Sequence, residues 1–111
     1  MKSKPRALNE VVDSYLQESQ VDCVGLWEIA QSAREEMGAE TPEEARNLSL
    51  MVVGRLYDAG LRPGDYFGRN VVFWPDAGRQ AMLDRIEREW VNAGADPNPA
   101  EPICYFAPSP K

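Results

Sequence analysis

Histidine is absent from this chain of 111 residues. The commonest general base and the commonest nitrogen ligand for metals are therefore missing. The two cysteines, Cys23 and Cys104, lie far apart and form no CxxC pair. An ordinary zinc site needs about four nitrogen or sulfur ligands. No loop carries the spaced oxygen ligands that calcium requires. The expectation is no metal and no cofactor. Two cysteines are also too few for a secreted disulfide scaffold, and two buried thiols are expected. Long apolar runs are missing, so no stretch of about 18 residues reads as a transmembrane helix. The basic start, Met1 to Arg6, is not followed by the apolar segment of a signal peptide. A cytoplasmic protein without a membrane partner is expected. Gly54, Gly60, Gly64 and Gly68 fall in no phosphate-loop or dinucleotide pattern.

Positive charge is scarce as well. Twelve Lys and Arg face 18 Asp and Glu, for a net charge of −6. Nucleic acid binders carry basic patches that neutralise phosphates, so nucleic acid is disfavoured as a partner. A protein with a basic surface fits better, because opposite fields speed encounter. Solubility alone also explains a mild acidic excess.

What is present is the material of one ordinary domain. The chain is 43% hydrophobic and 27% charged. Residues 1–111 read as a single domain, with 1–6 and 107–111 expected to be loose. Leu8, Val11, Val12, Tyr15 and Leu16 recur at helical spacing within Ala7 to Glu18. Asp22 stands where a second helix would be capped, and Leu26, Trp27, Ile29, Ala30, Ala33 and Met37 form its stripe, up to Gly38. Thr41-Pro42-Glu43-Glu44 supplies a cap hydroxyl, a proline at the first helical position and a glutamate at the third, a strong helix start. Ala59-Gly60 ends that helix, and Leu61 is placed to pack back on it. Arg62-Pro63-Gly64-Asp65 reads as a turn. Tyr66-Phe67 and Val71 to Trp74 read as a hairpin around Gly68-Arg69-Asn70. A fourth helix runs from a cap at Asp76 to about Gly94, with Met82, Leu83, Ile86, Trp90 and Val91 on its apolar face. Asp84 with Arg88 and Arg85 with Glu89 are spaced to pair along it. Ile103 to Phe106 is a lone apolar run in a proline-rich end, read as a strand added to the hairpin or an arm on the helices. The fold class is α+β, mainly helical with a small β-hairpin, and winged-helix-like.

Chemistry is thinly supplied. Cys23 near a helix start is flanked by Asp22 and Glu28, which oppose a thiolate. Glu35 with Glu36, Glu43 with Glu44, and Glu87 with Glu89 are carboxylate pairs of the kind that serve acid–base work, but each falls on a polar helix face. Trp27 and Trp90 read as core. Tyr66, Phe67, Phe73 and Trp74 make the hairpin rich in aromatics, with packing against the 82–91 helix as the better reading and an exposed interface as the other. From Glu35 to Glu44 there are five acids and no base. In a DNA-reading winged helix the third helix enters the major groove by its N-terminal part, where Glu43 and Glu44 would repel phosphates.

Several segments together carry a resemblance: DCVGLWEIA over 22–30, GLRPG over 60–64, Phe73-Trp74, RIEREW over 85–90, Asp96-Pro97, and ICYF over 103–106. Over residues 22–106 the chain resembles a widespread class of small bacterial proteins of toxin–immunity loci. It departs from that pattern at Cys104-Tyr105, where a tryptophan is expected. The resemblance implies a non-enzymatic immunity protein that binds a cognate toxin domain, often a nuclease with a basic cleft, and neutralises it in a stoichiometric complex. The residues assigned to the partner surface are Glu35, Glu36, Glu43, Glu44, Asp65, Tyr66 and Arg69. The alternative is a winged-helix transcription regulator that touches DNA through Arg62 and Arg69.

Overall fold

The computed structural model describes residues 5–67 and 70–109. It is α+β, with helices α1 (Leu8–Glu18), α2 (Leu26–Glu35), α3 (Pro42–Asp58) and α4 (Arg79–Ala93). Strands β1 (Val24–Gly25), β2 (Leu61–Phe67), β3 (Asn70–Phe73) and β4 (Tyr105–Pro108) form one antiparallel sheet in the order β1-β4-β2-β3.

The helices bury the stripes their sequences announce. Val11, Val12 and Tyr15 of α1, Leu26, Ile29 and Ala30 of α2, and Val52, Val53 and Leu56 of α3 enclose a core with Ile86 and Trp90 of α4. Thr41 Oγ1 accepts the Glu44 N–H at 3.1 Å, which caps α3 as expected. Gly60 takes φ +106° and turns the chain out of α3, and Leu61 is buried behind it. Gly54 lies buried in the middle of α3, and the Arg79 guanidinium of α4 occupies the space its missing side chain leaves. That arginine then bonds Asp58 one turn later, at 2.9 Å. A residue that weakens a helix by about 1 kcal/mol here lets two helices approach.

Several boundaries differ from the sequence reading. The second helix starts at Leu26, after β1, and not at Asp22. Asp22 instead accepts the N–H of Cys23 at 2.8 Å, and Glu28 reaches back to the Gly25 N–H at 2.9 Å. Asp76 does not cap α4, whose N-cap is Gly78. On α4, Arg85 pairs with Glu89 at 2.7 Å, while the Asp84 carboxylate accepts from Gln80. Val91 is 54% exposed and does not join the apolar face. Near the ends of the described segment, Arg6 bonds Glu36, and Ala107 pairs with Arg62; residues 1–4, 110 and 111, also expected to be loose, lie outside the described residues.

The largest correction concerns the sheet. Arg62 to Asp65 is no turn but the first half of β2, held on one side by β4 and on the other by β3. Pro63 is tolerated there because of where it falls. Its carbonyl accepts the Trp74 N–H at 3.0 Å, and the return bond, which proline cannot give, would go to a strand that is leaving at Pro75. The two prolines thus end the β2–β3 ladder together. Asn70 belongs to β3, opposite Phe67. The apolar run at 103–106 becomes β4 only from Tyr105. Before it, Ile103 takes φ +66°, and the Cys104 N–H closes a three-residue turn onto Pro102 at 2.7 Å. Both cysteines are free. Among the described residues no helix is long and apolar enough to cross a membrane.

Candidate functional site

Residues that face each other across an antiparallel ladder share a side of the sheet, and the sides alternate along each strand. Pro63 and Phe106 are partners and both buried, so they mark the core side. Asp65 with Val72, and Phe67 with Asn70, continue that side toward the hairpin end. Beyond Trp74 the core no longer covers it. Phe67 is 65% exposed and Val72 53%. The opposite side carries Gly64 with Phe73, and Tyr66 with Val71. There Tyr66, 46% exposed, tilts against Tyr105 of β4 with ring centroids 5.4 Å apart. Packing of all four hairpin aromatics against α4 is therefore not what forms. Trp74 alone of them is buried, and Tyr66 and Phe67 are presented to solvent. Strand β3 lies at the sheet edge, and among the described residues no strand pairs with its outer side.

Gly64 fixes the hairpin's geometry. A Cβ there would stand 2.5 Å from the Val72 carbonyl oxygen and 2.6 Å from Val71 Cγ1. The strands pass too close for any side chain.

The other assigned residues are dispersed. Asp65 and Tyr66 border a cleft with the 102–105 segment, whereas Glu35 and Glu36 border one between α1 and α2. Glu43 and Glu44 sit in the first turn of α3. Arg69 lies outside the described residues. Glu35 and Glu43 are exposed. Glu44 is occupied in part, since its carboxylate accepts the Glu40 N–H at 3.2 Å. Glu36 is committed to the fold. It pairs with Arg6 at 2.6 Å and accepts from Ser32 at 3.0 Å. The Arg6 hydrogen bond, followed by that of Ser32, holds its carboxyl below the usual range. The Tyr15 hydroxyl closes this cluster against Ser32 and the Glu28 carbonyl, and burial pushes its pKa up to about 12.

Burial also raises both thiols, Cys104 strongly and Cys23 with help from the Asp22 charge. Neither is poised as a thiolate. Among the described residues no three Cys, Asp or Glu side chains gather to hold a metal.

A further recess was not foreseen from sequence. It has a volume of about 400 Å³ and lies between the end of α3, the start of β2, the β3–α4 connection and the outer side of α4. Its frame is a pair of arginine–aromatic stacks. The Arg62 guanidinium lies 3.7 Å over the Tyr57 ring, and that of Arg85 lies 3.5 Å over Trp74. Asp76 ties the first stack to the loop, accepting the Tyr57 hydroxyl at 2.8 Å, Arg62 Nε at 3.0 Å and the Gly78 N–H at 3.0 Å. These bonds, the tyrosine's first, keep its carboxyl below its ordinary pKa. Sequence spacing gives no warning of such a recess, because its residues come from four elements.

Comparison with protein-family models, with curated proteins and with solved structures yielded no match for this chain.

Proposed function

We propose that this chain is a non-catalytic, immunity-type binding domain that holds a cognate toxin in a one-to-one complex, with the hairpin as its main contact. The observation that carries this reading is the exposed apolar pair Phe67 and Val72 on one side of a hairpin whose outer strand is a sheet edge. Apolar side chains at such a position gain from being covered, and an edge strand offers backbone groups for an added strand of a partner. Tyr66 supplies an aromatic anchor of the type enriched at interface hot spots. The net charge of −6 favours a partner with a basic surface, to which the exposed Glu43 and Glu35, the latter accepting from Gln31 at 2.9 Å, can contribute. The sequence resemblance to immunity proteins supports the same reading.

The test is a co-purification from the native extract with wild-type protein beside a Phe67→Asp/Val72→Asp variant. One polypeptide in equal stoichiometry with the wild type, lost from the variant and toxic when expressed without this chain, is the expected outcome. Equal recovery by both proteins removes the hairpin from the interface. A captured polypeptide that does not harm cells removes the immunity role.

The order α1-β1-α2-α3-β2-β3 supports the finer winged-helix-like reading of the fold, with β4 laid into the sheet and α4 added. It also favours the second functional reading, a transcription regulator. The acids at the start of α3 weigh against that reading. Salt-sensitive binding of duplex DNA at physiological ionic strength would support it.

A further inference from the structure

The 400 Å³ recess is large enough for a small organic ligand, at the lower end of the roughly 300–1,000 Å³ of such sites. Its charge runs against that of the chain. The chain as a whole has 18 acids and 12 bases, yet three arginines line the recess, Arg62, Arg85 and Arg88, against two acids, Asp76 and Asp84. Both acids are already engaged. Asp76 is bound by Tyr57, Arg62 and the Gly78 amide, and Asp84 by Gln80. Arg62 is committed to Asp76 and to the Tyr57 and Leu61 carbonyls, and the other two arginines are less so. Arg85 spends its Nε on Glu89. Arg88 makes no hydrogen bond or ion pair among the described residues.

One further feature points to a flat ligand. The Arg85 guanidinium is stacked on Trp74, and a planar, delocalised cation offers a second face for stacking. Trp74 is only 9% exposed, and its indole N–H is buried with no hydrogen-bond partner. That N–H is closed off from the recess, so what Trp74 offers there is the stack it makes with Arg85.

We infer that this recess binds a small aromatic carboxylate, its charge met by Arg88 and its ring stacked on the free face of the Arg85 guanidinium beside Met82. The site is independent of the hairpin surface and stands whether or not that surface binds a toxin.

The chain has three tryptophans, so its indole N–H groups give three proton–nitrogen NMR resonances, and a Trp74→Phe variant assigns the one in the recess. Titration of the full chain with 2-naphthoate should shift the Trp74 resonance saturably and leave those of Trp27 and Trp90 in place. The uncharged 2-naphthamide should bind at least tenfold more weakly, and Arg88→Gln should weaken 2-naphthoate at least fivefold. Arg88 is exposed on α4, so this variant folds, and unshifted Trp27 and Trp90 resonances verify it. The Phe67→Asp/Val72→Asp protein should bind 2-naphthoate as the wild type does. No saturable shift with 2-naphthoate or benzoate overturns the site. Equal affinity of the Arg88→Gln variant overturns the role of charge. An equal shift with inorganic phosphate overturns the role of the ring.

Discussion

Single residues in this chain are decided by what lies within a few ångströms of them. Gly64 is the clearest case, because a Cβ would press on a backbone carbonyl that cannot swing aside. Gly64→Ala should cost about 1–3 kcal/mol, read as a lower urea midpoint, and an unchanged midpoint would mean that the hairpin strands can separate freely. Glu36 shows the opposite lesson. By type and position it looks like a surface charge for a partner, but it anchors Arg6 and Ser32. Its folded pKa is depressed from an ordinary value of 4.5. The stability it gives is therefore present above that value and lost as pH falls through the lower, folded one. Arg6→Ala should flatten the fall in stability below pH 4.5. Urea midpoints measured at neutral and acid pH check this, and parallel wild-type and variant curves would show that the pair carries no linkage. Charge reversal at Glu43 tests binding cleanly, while reversal at Glu36 perturbs the fold as well.

Elements were legible where periodicity and capping agree, and obscure where one residue type served two purposes. Helix α3 could be read from Thr41 to Gly60 because cap, proline, stripe and terminal glycine all pointed one way. The Pro63-Gly64 pair misled for a physical reason. Proline and glycine signal turns through backbone freedom and a missing donor, but here the donor is missing where a ladder ends, and the glycine is needed because two strands pass close. The hairpin's existence was legible, and the exposure of its aromatics was not, since that depends on how far the strands outrun the core. Substituting Phe67 and Val72 with Ser and Thr should change folding stability by no more than about 0.5 kcal/mol while weakening any partner complex. Trp74→Ala, just past the end of β3, should cost about 3–5 kcal/mol. Comparable losses from both would mean that the hairpin is core and not surface. The arginine–aromatic recess was invisible in the sequence because Tyr57, Arg62, Trp74 and Arg85 are joined only by the fold.

At the scale of the whole molecule, acidity and sheet order matter most. The charge of −6 should make association with a basic partner slow as salt rises, since exposed charges are screened beyond about 8 Å at physiological ionic strength. Stopped-flow rates across salt concentrations test this, and a salt-independent rate would leave only the apolar hairpin to explain binding. Strand β4 sits between β1 and β2 although it comes last in the chain. Phe106 faces Val24 on one side and Pro63 on the other. On a ribosome, β1 and β2 emerge long before the strand that joins them. Until β4 arrives, each exposes an open ladder, and the helices have only half a sheet to close on. The nascent chain must wait in an incomplete state, with its final strand acting as a lock that is fitted from the inside. Completion of the sheet therefore awaits residues 105–108, and a chain cut before residue 105 should unfold at a lower urea concentration than the intact one.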